Sequence, residues 1–198
     1  MQTINMSKGQ RIDLRKADNT PMTHLYLGLG WDARLSEGEK FDADILVMLS
    51  DKDGKNLGVE NFVFYGNTAK ASTCGSVKIS ADNQTGEGDG DDEFATIDLL
   101  TMNPDVDRIS LAVNIHEAAA RGQNFGIIEN AGIRVCEGVV ADGREHAKYD
   151  LTEDYHQYTA VLVGEVYRNN GEWKFVAKGE GLAGGLDEFL GRFGFVAG

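Results

Sequence analysis

Apolar residues along this chain fall in short runs rather than in the three- and four-residue spacing of amphipathic helices. The runs are rich in Val, Ile, Tyr and Phe, and several of them end at Gly, Asn or Asp, which is typical of strands bounded by turns. The pattern predicts strands at Arg11–Leu14, His24–Gly30, Ala43–Leu49, Phe62–Tyr65, Val77–Ser80, Phe94–Leu100, Arg108–Ile115, Ala131–Cys136, His146–Leu151, Tyr158–Tyr167 and Trp173–Ala177.

Turns and helices complete the predicted secondary structure. The dipeptides Asp53-Gly54 and Asn170-Gly171 accept the positive φ angles of type I′ turns, so each predicts a hairpin. Helical segments are predicted only at Glu117–Arg121 and Leu186–Phe193. Strands without long intervening helices favour an all-β fold, an antiparallel β-sandwich with short peripheral helices, in a single domain over residues 1–198.

The charge balance narrows the range of partners. The 198 residues include 19 Lys and Arg against 32 Asp and Glu, for a net charge of −13. Binding to nucleic acid or to an anionic membrane is not expected, because both require clustered basic residues. The N-terminal residues lack the apolar segment of a signal peptide, and no apolar run is long enough to span a membrane. We therefore expect a cytoplasmic protein without direct membrane insertion, in which Cys74 and Cys136 stay reduced.

Six carboxylates gather in the segment Asp82–Glu93, which contains no basic residue and has glycine at three alternate positions. Carboxylates about 6 Å apart repel one another by roughly 0.7–3 kcal/mol. A bound cation would offset that repulsion, and Ca²⁺ takes its ligands from carboxylates and backbone carbonyls, which glycines allow to turn inward. A solvated acidic loop is the alternative, because the EF-hand pattern fails: its sixth position is Glu87, and predicted strands flank the segment.

A second group of carboxylates lies near the start of a predicted strand. Asp42 and Asp44 are two residues apart and therefore project to the same face, at the end of an apolar strand that is expected to be buried. Carboxylates at such a place need compensation, and a metal ion is one way to provide it. Asp32, just after another predicted strand, is a further candidate. Turn capping or pairing with Arg34 or Lys40 is the alternative.

Motifs for other chemistries are weak. The segment Gly28–Ala33 fits the dinucleotide-binding glycine pattern, but no helix is predicted to follow it. The four histidines have no metal-binding spacing, and no serine or cysteine nucleophile motif occurs. An enzymatic interpretation therefore rests on the acidic residues alone.

Several motifs resemble the TerD-type family of tellurium-resistance and stress-response proteins, almost from end to end of the chain. The acidic segment together with Gly-Leu-Gly-Trp-Asp is highly specific, whereas either alone would be weak. The motifs are Leu27-Gly28-Leu29-Gly30-Trp31-Asp32, Phe41-Asp42-Ala43-Asp44, Phe62-Val63-Phe64-Tyr65, Asp82–Glu93, Arg121-Gly122-Gln123-Asn124-Phe125-Gly126, Ile133-Arg134-Val135, Tyr149-Asp150-Leu151 and Gly164-Glu165-Val166-Tyr167-Arg168.

The resemblance implies a calcium-binding β-sandwich with Ca²⁺ held by acidic loops at one end. By position it implies carboxylate ligands at Asp32, Asp42, Asp44, Asp82, Asp91, Asp92 and Glu93. Backbone oxygens near Thr85 and Glu87 are implied as additional ligands. Glu117 is implied as a further carboxylate ligand, at a position where the family usually has Asp.

These observations predict a non-enzymatic calcium-binding protein of a bacterial tellurite-resistance or stress-response system, which acts through other proteins of the same system. The alternative is a metal-dependent hydrolase that uses the acidic residues to activate water. A third interpretation is a structural subunit whose acidic loop only solubilises its surface.

Overall fold

Two six-stranded β-sheets pack face to face in the computed structural model, which describes residues 2–33, 41–84, 90–151 and 155–195. In chain order the strands are β1 (Ile4–Asn5), β2 (Arg11–Asp13), β3 (His24–Ala33), β4 (Ala43–Ser50), β5 (Phe62–Val63), β6 (Val77–Ile79), β7 (Glu93–Asp98), β8 (Arg108–Ile115), β9 (Ile128–Glu137), β10 (Glu145–Asp150), β11 (Ala160–Asn169) and β12 (Glu172–Leu182). Sheet I has the order β1-β10-β9-β3-β7-β6, and sheet II has the order β2-β12-β11-β8-β4-β5.

The predicted antiparallel sandwich is confirmed, with one parallel pair, β1 with β10. Alternate residues of each sheet face a shared core: Leu25, Leu27 and Leu29 of β3 meet Ile45 and Val47 of β4 in one buried cluster. Every one of these five side chains is at most 1% exposed. These leucines stand at every second position of β3, which is the period at which side chains of a strand return to the same face.

Short helices lie at the periphery, as predicted. They are α1 (Ala118–Arg121) and α2 (Gly185–Arg192), with two 3₁₀ turns at Val59–Asn61 and Phe125–Ile127. Helix α2 packs its fully buried Phe189 onto the outer face of sheet II, against Leu46, Met48 and Leu162. Those strands are thus apolar on both faces because a helix covers the outer one. Among the described residues, no helix combines the length and apolar character that crossing a membrane requires.

The two predicted turns differ from each other. Asn170 and Gly171 both have positive φ angles, 51° and 81°, so the turn between β11 and β12 has the predicted type I′ signs. The Asp53-Gly54 prediction is wrong in type, because only Gly54 has a positive φ angle. Its amide instead donates to the carbonyl of Asp51, whose own amide donates to Lys55, which is the three-residue turn with a glycine bulge.

Strand ends account for the remaining differences. β1 was not predicted, since two residues carry no periodic signal. β3 extends to Ala33, so Asp32 lies within the strand, opposite Glu129 of β9, rather than just after it. Cys74 is exposed and Cys136 is buried, and both are free thiols.

Candidate metal centre

Three carboxylates from two separate segments meet where β4 begins. Asp42 and Asp44 flank the first residue of β4, and Asp82 follows β6 of the opposite sheet. Each contributes one oxygen to a group whose members all lie within 4.8 Å of one another. Asp42 is 5% exposed and Asp44 is 1% exposed, whereas Asp82 is open to solvent. We call these three residues the acidic centre.

The short neighbouring strand explains why the acidic centre forms here. β5 pairs with β4 only at Val47 and Met48, so the first half of β4 has an edge without a strand partner among the described residues. Glu93 of β7 reaches that edge from sheet I and accepts a hydrogen bond of 2.8 Å from the amide of Ile45. Its other carboxylate oxygen accepts from the amide of Asn83 at 3.3 Å. Glu93 thus connects the two sheets directly beneath the acidic centre.

Electrostatics make the acidic centre costly without a cation. Burial, followed by the charges of Glu93 and Asp42, raises the pKa of Asp44 to about 9. Burial likewise raises the pKa of Glu93 to about 7, and burial with the nearby Asp82 raises the pKa of Asp42. Asp42 Oδ1 and Asp44 Oδ2 are buried with no hydrogen-bond partner in the described structure. Two buried oxygens that lack donors are uncommon in a folded protein and require an explanation.

His116 was missed by the sequence analysis. Its Nδ1 atom lies 4.0 Å from Asp44 Oδ2, which is too long for a hydrogen bond, and its amide donates to the carbonyl of Asp42 at 2.8 Å. The adjacent Glu117 has a left-handed φ of 50° and an exposed carboxylate, which lies 3.3 Å from Arg121 and 3.9 Å from His116. Glu117 is therefore at the border of the acidic centre, and its charge adds to the upward shift in the pKa of Asp42.

Asp92 and Asp32 form a second group next to the first. Asp92 accepts hydrogen bonds from the Trp31 amide at 3.0 Å and from Asn83 Nδ2 at 3.3 Å. Burial raises its pKa, and the charge of Asp32 adds to the shift. Asp32 is exposed and accepts a hydrogen bond of 2.6 Å from Asn130. The backbone and side chain of Asn83 link the two groups, because they bind Glu93 and Asp92 respectively.

Asp91 has a different partner from the metal ion that the sequence suggested. Both of its oxygens accept hydrogen bonds from the guanidinium of Arg134, at 2.7 and 2.6 Å, on the outer face of sheet I. Gly28 makes room for this pair, because a Cβ atom there would lie 2.3 Å from Asp91 Oδ2. A bidentate pair of this kind satisfies the carboxylate without a metal. Thr85 and Glu87, the other predicted ligands, lie outside the described residues.

The donor set of the acidic centre fits a hard divalent cation. It offers carboxylate oxygens, and Asp42 Oδ1 and Asp44 Oδ2 have no hydrogen-bond partner in the part of the chain that the structure describes. The nearby imidazole of His116 lies 4.0 Å from Asp44 Oδ2, beyond bonding distance. Zn²⁺ sites are built mainly from Cys and His, whereas Ca²⁺ and Mg²⁺ take oxygen ligands. Asp42, Asp44 and Asp82 are the residues that would hold such an ion.

Comparison with known proteins identifies the family. The family model for the TerD domain matches residues 1–193. The chain belongs to the TerD family. It is 45% identical over 195 residues to the tellurium resistance protein TerD of Serratia marcescens, an alignment that covers 98% of this chain and 99% of that protein. It is 41% identical over 197 residues to general stress protein 16U of Bacillus subtilis (strain 168), covering 99% and 100% of the two chains.

A solved structure supports the fold of this TerD family member. A homologue of telluride resistance protein TerD from Streptomyces coelicolor A3(2) superimposes with a TM-score of 0.71 at 24% identity, covering 86% of this chain and 95% of that one. At this level of identity the likeness shows the fold alone. The family and the names of its members place the chain among tellurium-resistance and stress-response proteins.

Proposed function

We propose that this TerD family member is a calcium-binding protein without enzymatic activity, which acts in a bacterial tellurite-resistance or stress response through other proteins of that system. The observation that carries the proposal is the acidic centre, where Asp42, Asp44 and Asp82 bring oxygens within 4.8 Å of one another. Asp42 Oδ1 and Asp44 Oδ2 are buried without a hydrogen-bond partner among the described residues. A divalent cation supplies the missing partner and offsets the burial and the repulsion that raise the pKa of Asp44.

Calcium fits the site better than magnesium. The ligands come from the start of a buried strand and from an exposed segment after β6, so one side of the site is fixed and the other is open to solvent. Ca²⁺ accepts irregular shells of six to eight oxygens, whereas Mg²⁺ needs a tight octahedron and sheds its waters reluctantly. Thr85 and Glu87 are retained in the proposal as sources of further oxygens, with Asp92, Glu93, Asp32 and Glu117 around the three carboxylates.

The non-enzymatic role is supported by the relatives, whose names describe resistance and stress response rather than a reaction. An ion site between two sheets can make the binding of partner proteins depend on Ca²⁺. Glu93 connects β4 to β7, and the acidic centre brings the start of β4 to the segment after β6. We expect an ion bound there to stabilise these ends of the two sheets. Surfaces formed by those ends are then available to a partner in a calcium-dependent way.

The test is calorimetric titration of protein stripped with a chelator. Ca²⁺ should bind with higher affinity than Mg²⁺, and Asp44→Asn should abolish most of the heat, because it removes charge while keeping size. Asp142→Asn changes an exposed carboxylate elsewhere and is the matched control. Absence of calcium heat in the wild-type protein, or equal binding by Asp44→Asn and wild type, would contradict the proposal.

Partner binding requires its own experiment. Tagged wild-type protein and the Asp44→Asn variant should be expressed in the organism that encodes the protein and purified in Ca²⁺ and in chelator. The associated proteins are then identified by mass spectrometry. Proteins of the resistance system should accompany the wild type in Ca²⁺ alone. If the same partners are found under all conditions, partner binding does not depend on the ion site, which would contradict this part of the proposal. Turnover of a hydrolysable substrate would refute the non-enzymatic role.

A further inference from the structure

The outer face of sheet II is covered on one half only. Helix α2 covers the half that contains Leu46, Met48 and Leu162. On the other half, β2, β12, β11 and β8 lie side by side, and one residue of each is paired with the next across the sheet: Arg11, Val176, Glu165 and Ser110. This half forms an open groove of about 360 Å³.

The groove is basic although the protein is strongly acidic. Four cationic side chains line it, and they come from three strands and from the segment before β2: Lys8, Arg11, Arg108 and Lys178. The carboxylates in its lining are Glu165 and Glu180, and Glu180 is engaged by Arg192 outside the lining. The groove therefore has a net positive charge in a chain whose overall charge is −13.

Glu165 lies beneath two of the cations and fixes their positions. It is 8% exposed, although no helix covers it. Its carboxylate accepts from Arg108 Nη1 at 3.2 Å and from Ser110 Oγ at 3.4 Å, and it lies 3.1 Å from Lys178 Nζ. Arg108 is held from a second side, since its Nε donates to the carbonyl of Lys52 at 3.2 Å. One carboxylate cannot neutralise two cations, so positive charge and N–H donors remain in a preset arrangement.

The facing wall of the groove carries cations of a different kind. Lys8 and Arg11 are exposed, and neither forms an ion pair with any residue that the structure describes. Val176, whose side chain is 6% exposed, lies between Arg11 and Glu165 in the register row. A ligand resting over Val176 is thus within reach of cations from both walls.

We propose that this groove binds a small molecule that carries a diphosphate or similar multivalent phosphate group. Fixed Arg and Lys donors on one wall and unpaired ones on the other are the chemistry that recognises phosphate oxygens. The groove is larger than a single phosphate requires, and Tyr167 in its lining offers an aromatic surface to the rest of the ligand. The negative potential of the remaining surface opposes anion binding elsewhere, so we expect anions to bind mainly in this basic groove. The site uses none of the carboxylates of the acidic centre.

The probe for this site is inorganic pyrophosphate, titrated calorimetrically into the full chain in buffer freed of divalent metals, so that no ion bridges the anion to a carboxylate. We expect saturable binding that weakens about tenfold in Lys8→Gln/Arg11→Gln, since two of the four cations are lost. Both residues are exposed, so their replacement preserves the fold, which an unchanged melting temperature verifies.

The matched control is Lys78→Gln/Lys148→Gln, which removes the same charge from exposed positions of sheet I. It should bind pyrophosphate like the wild type. Backbone amide NMR signals near Gly9, Arg11 and Lys178 should shift on titration. Absence of binding by the wild type, equal weakening in both double variants, or amide shifts confined to other surfaces would overturn the proposal.

Discussion

At the scale of single residues, Asp44 is the most informative group in the molecule. It occupies the second position of β4, where every side chain but those of Asp44 and the terminal Ser50 is apolar, and it is 1% exposed. A carboxylate there is stable only if it is protonated or bound to a cation. With a pKa raised to about 9, Asp44 is protonated at neutral pH when no cation is bound. Two measurable consequences follow.

The first consequence concerns pH. Because the folded-state pKa of Asp44 lies above its ordinary value of 3.8, its contribution to stability is complete below about pH 4 and is lost as the pH rises through about 9. Glu93, with a pKa raised to about 7, adds a loss of the same sign. Melting temperatures of chelator-treated protein should therefore fall between pH 4 and pH 9, and Asp44→Asn should flatten that decline. The same slope in Asp44→Asn and wild type would disprove this assignment, with Asp142→Asn as the control.

The second consequence concerns protons released by the ion. At pH 7 the Asp44 carboxyl holds a proton that Ca²⁺ must displace, so binding should release about one proton. Calorimetry in two buffers with different ionisation enthalpies measures that number directly. Calcium affinity should also increase as the pH is raised from 6 to 9. Heats that are independent of the buffer would mean that Asp44 is already ionised before calcium arrives.

At the scale of secondary-structure elements, β3 and β7 depend on a close approach that only glycine permits. Gly28 of β3 lies directly beneath Asp91, and Arg134 holds both oxygens of that carboxylate, so Asp91 cannot simply rotate away. This pair fixes the end of the acidic segment just before β7 begins. Its position explains how Asp92 and Glu93 are delivered to their own partners on β3 and β4.

Gly28→Ala should destabilise the protein by about 1–3 kcal/mol, because the new Cβ atom overlaps Asp91. Chemical denaturation with the midpoint and slope compared to wild type measures the change. Gly191→Ala in α2 is the control: a Cβ atom there meets nothing within 4 Å, and alanine in a helix is neutral or stabilising by up to about 1 kcal/mol. Equal stability of the two variants would mean that Asp91 and Arg134 can move away from the new Cβ atom without lowering the free energy of unfolding.

The elements of the fold followed from sequence more readily than the contacts of the site. Strand alternation and apolar runs predicted β2 to β12, because those signals are local to each segment. The spacing of Asp42 and Asp44 likewise placed both on one face of β4. By contrast, Arg134 lies 43 residues from Asp91 and was predicted only as part of a motif, since no local pattern connects a carboxylate to a distant arginine. The position of His116 beside Asp44 depends in the same way on the pairing of β8 with β4.

At the scale of the whole molecule, the acidic centre and Glu93 are contacts between the two sheets outside the apolar core. Ca²⁺ bound there should stabilise the folded state by mass action, by about 2.7 kcal/mol at a concentration 100 times the dissociation constant. The melting temperature of stripped protein should rise with Ca²⁺ and rise less with Mg²⁺. Asp44→Asn should abolish the increase, and Asp142→Asn should retain it. An unaltered melting curve in millimolar Ca²⁺ would leave the acidic segment as solvated surface.

The topology also determines when the protein can fold during its synthesis. β1 pairs with β10 and β2 pairs with β12, so each sheet joins one of the first two strands of the fold to a strand that is synthesised much later. β3 has an earlier partner in β7, and β11 and β12 pair across a two-residue turn as soon as both are made. The late hairpin forms quickly because its contacts are local, whereas β1 and β2 have no paired strand until β10 and β12 have been made. A nascent chain that has not yet reached β12 therefore lacks the partner of β2 and has an incomplete sheet II. We expect such a chain to expose apolar surface that chaperones bind until β12 emerges.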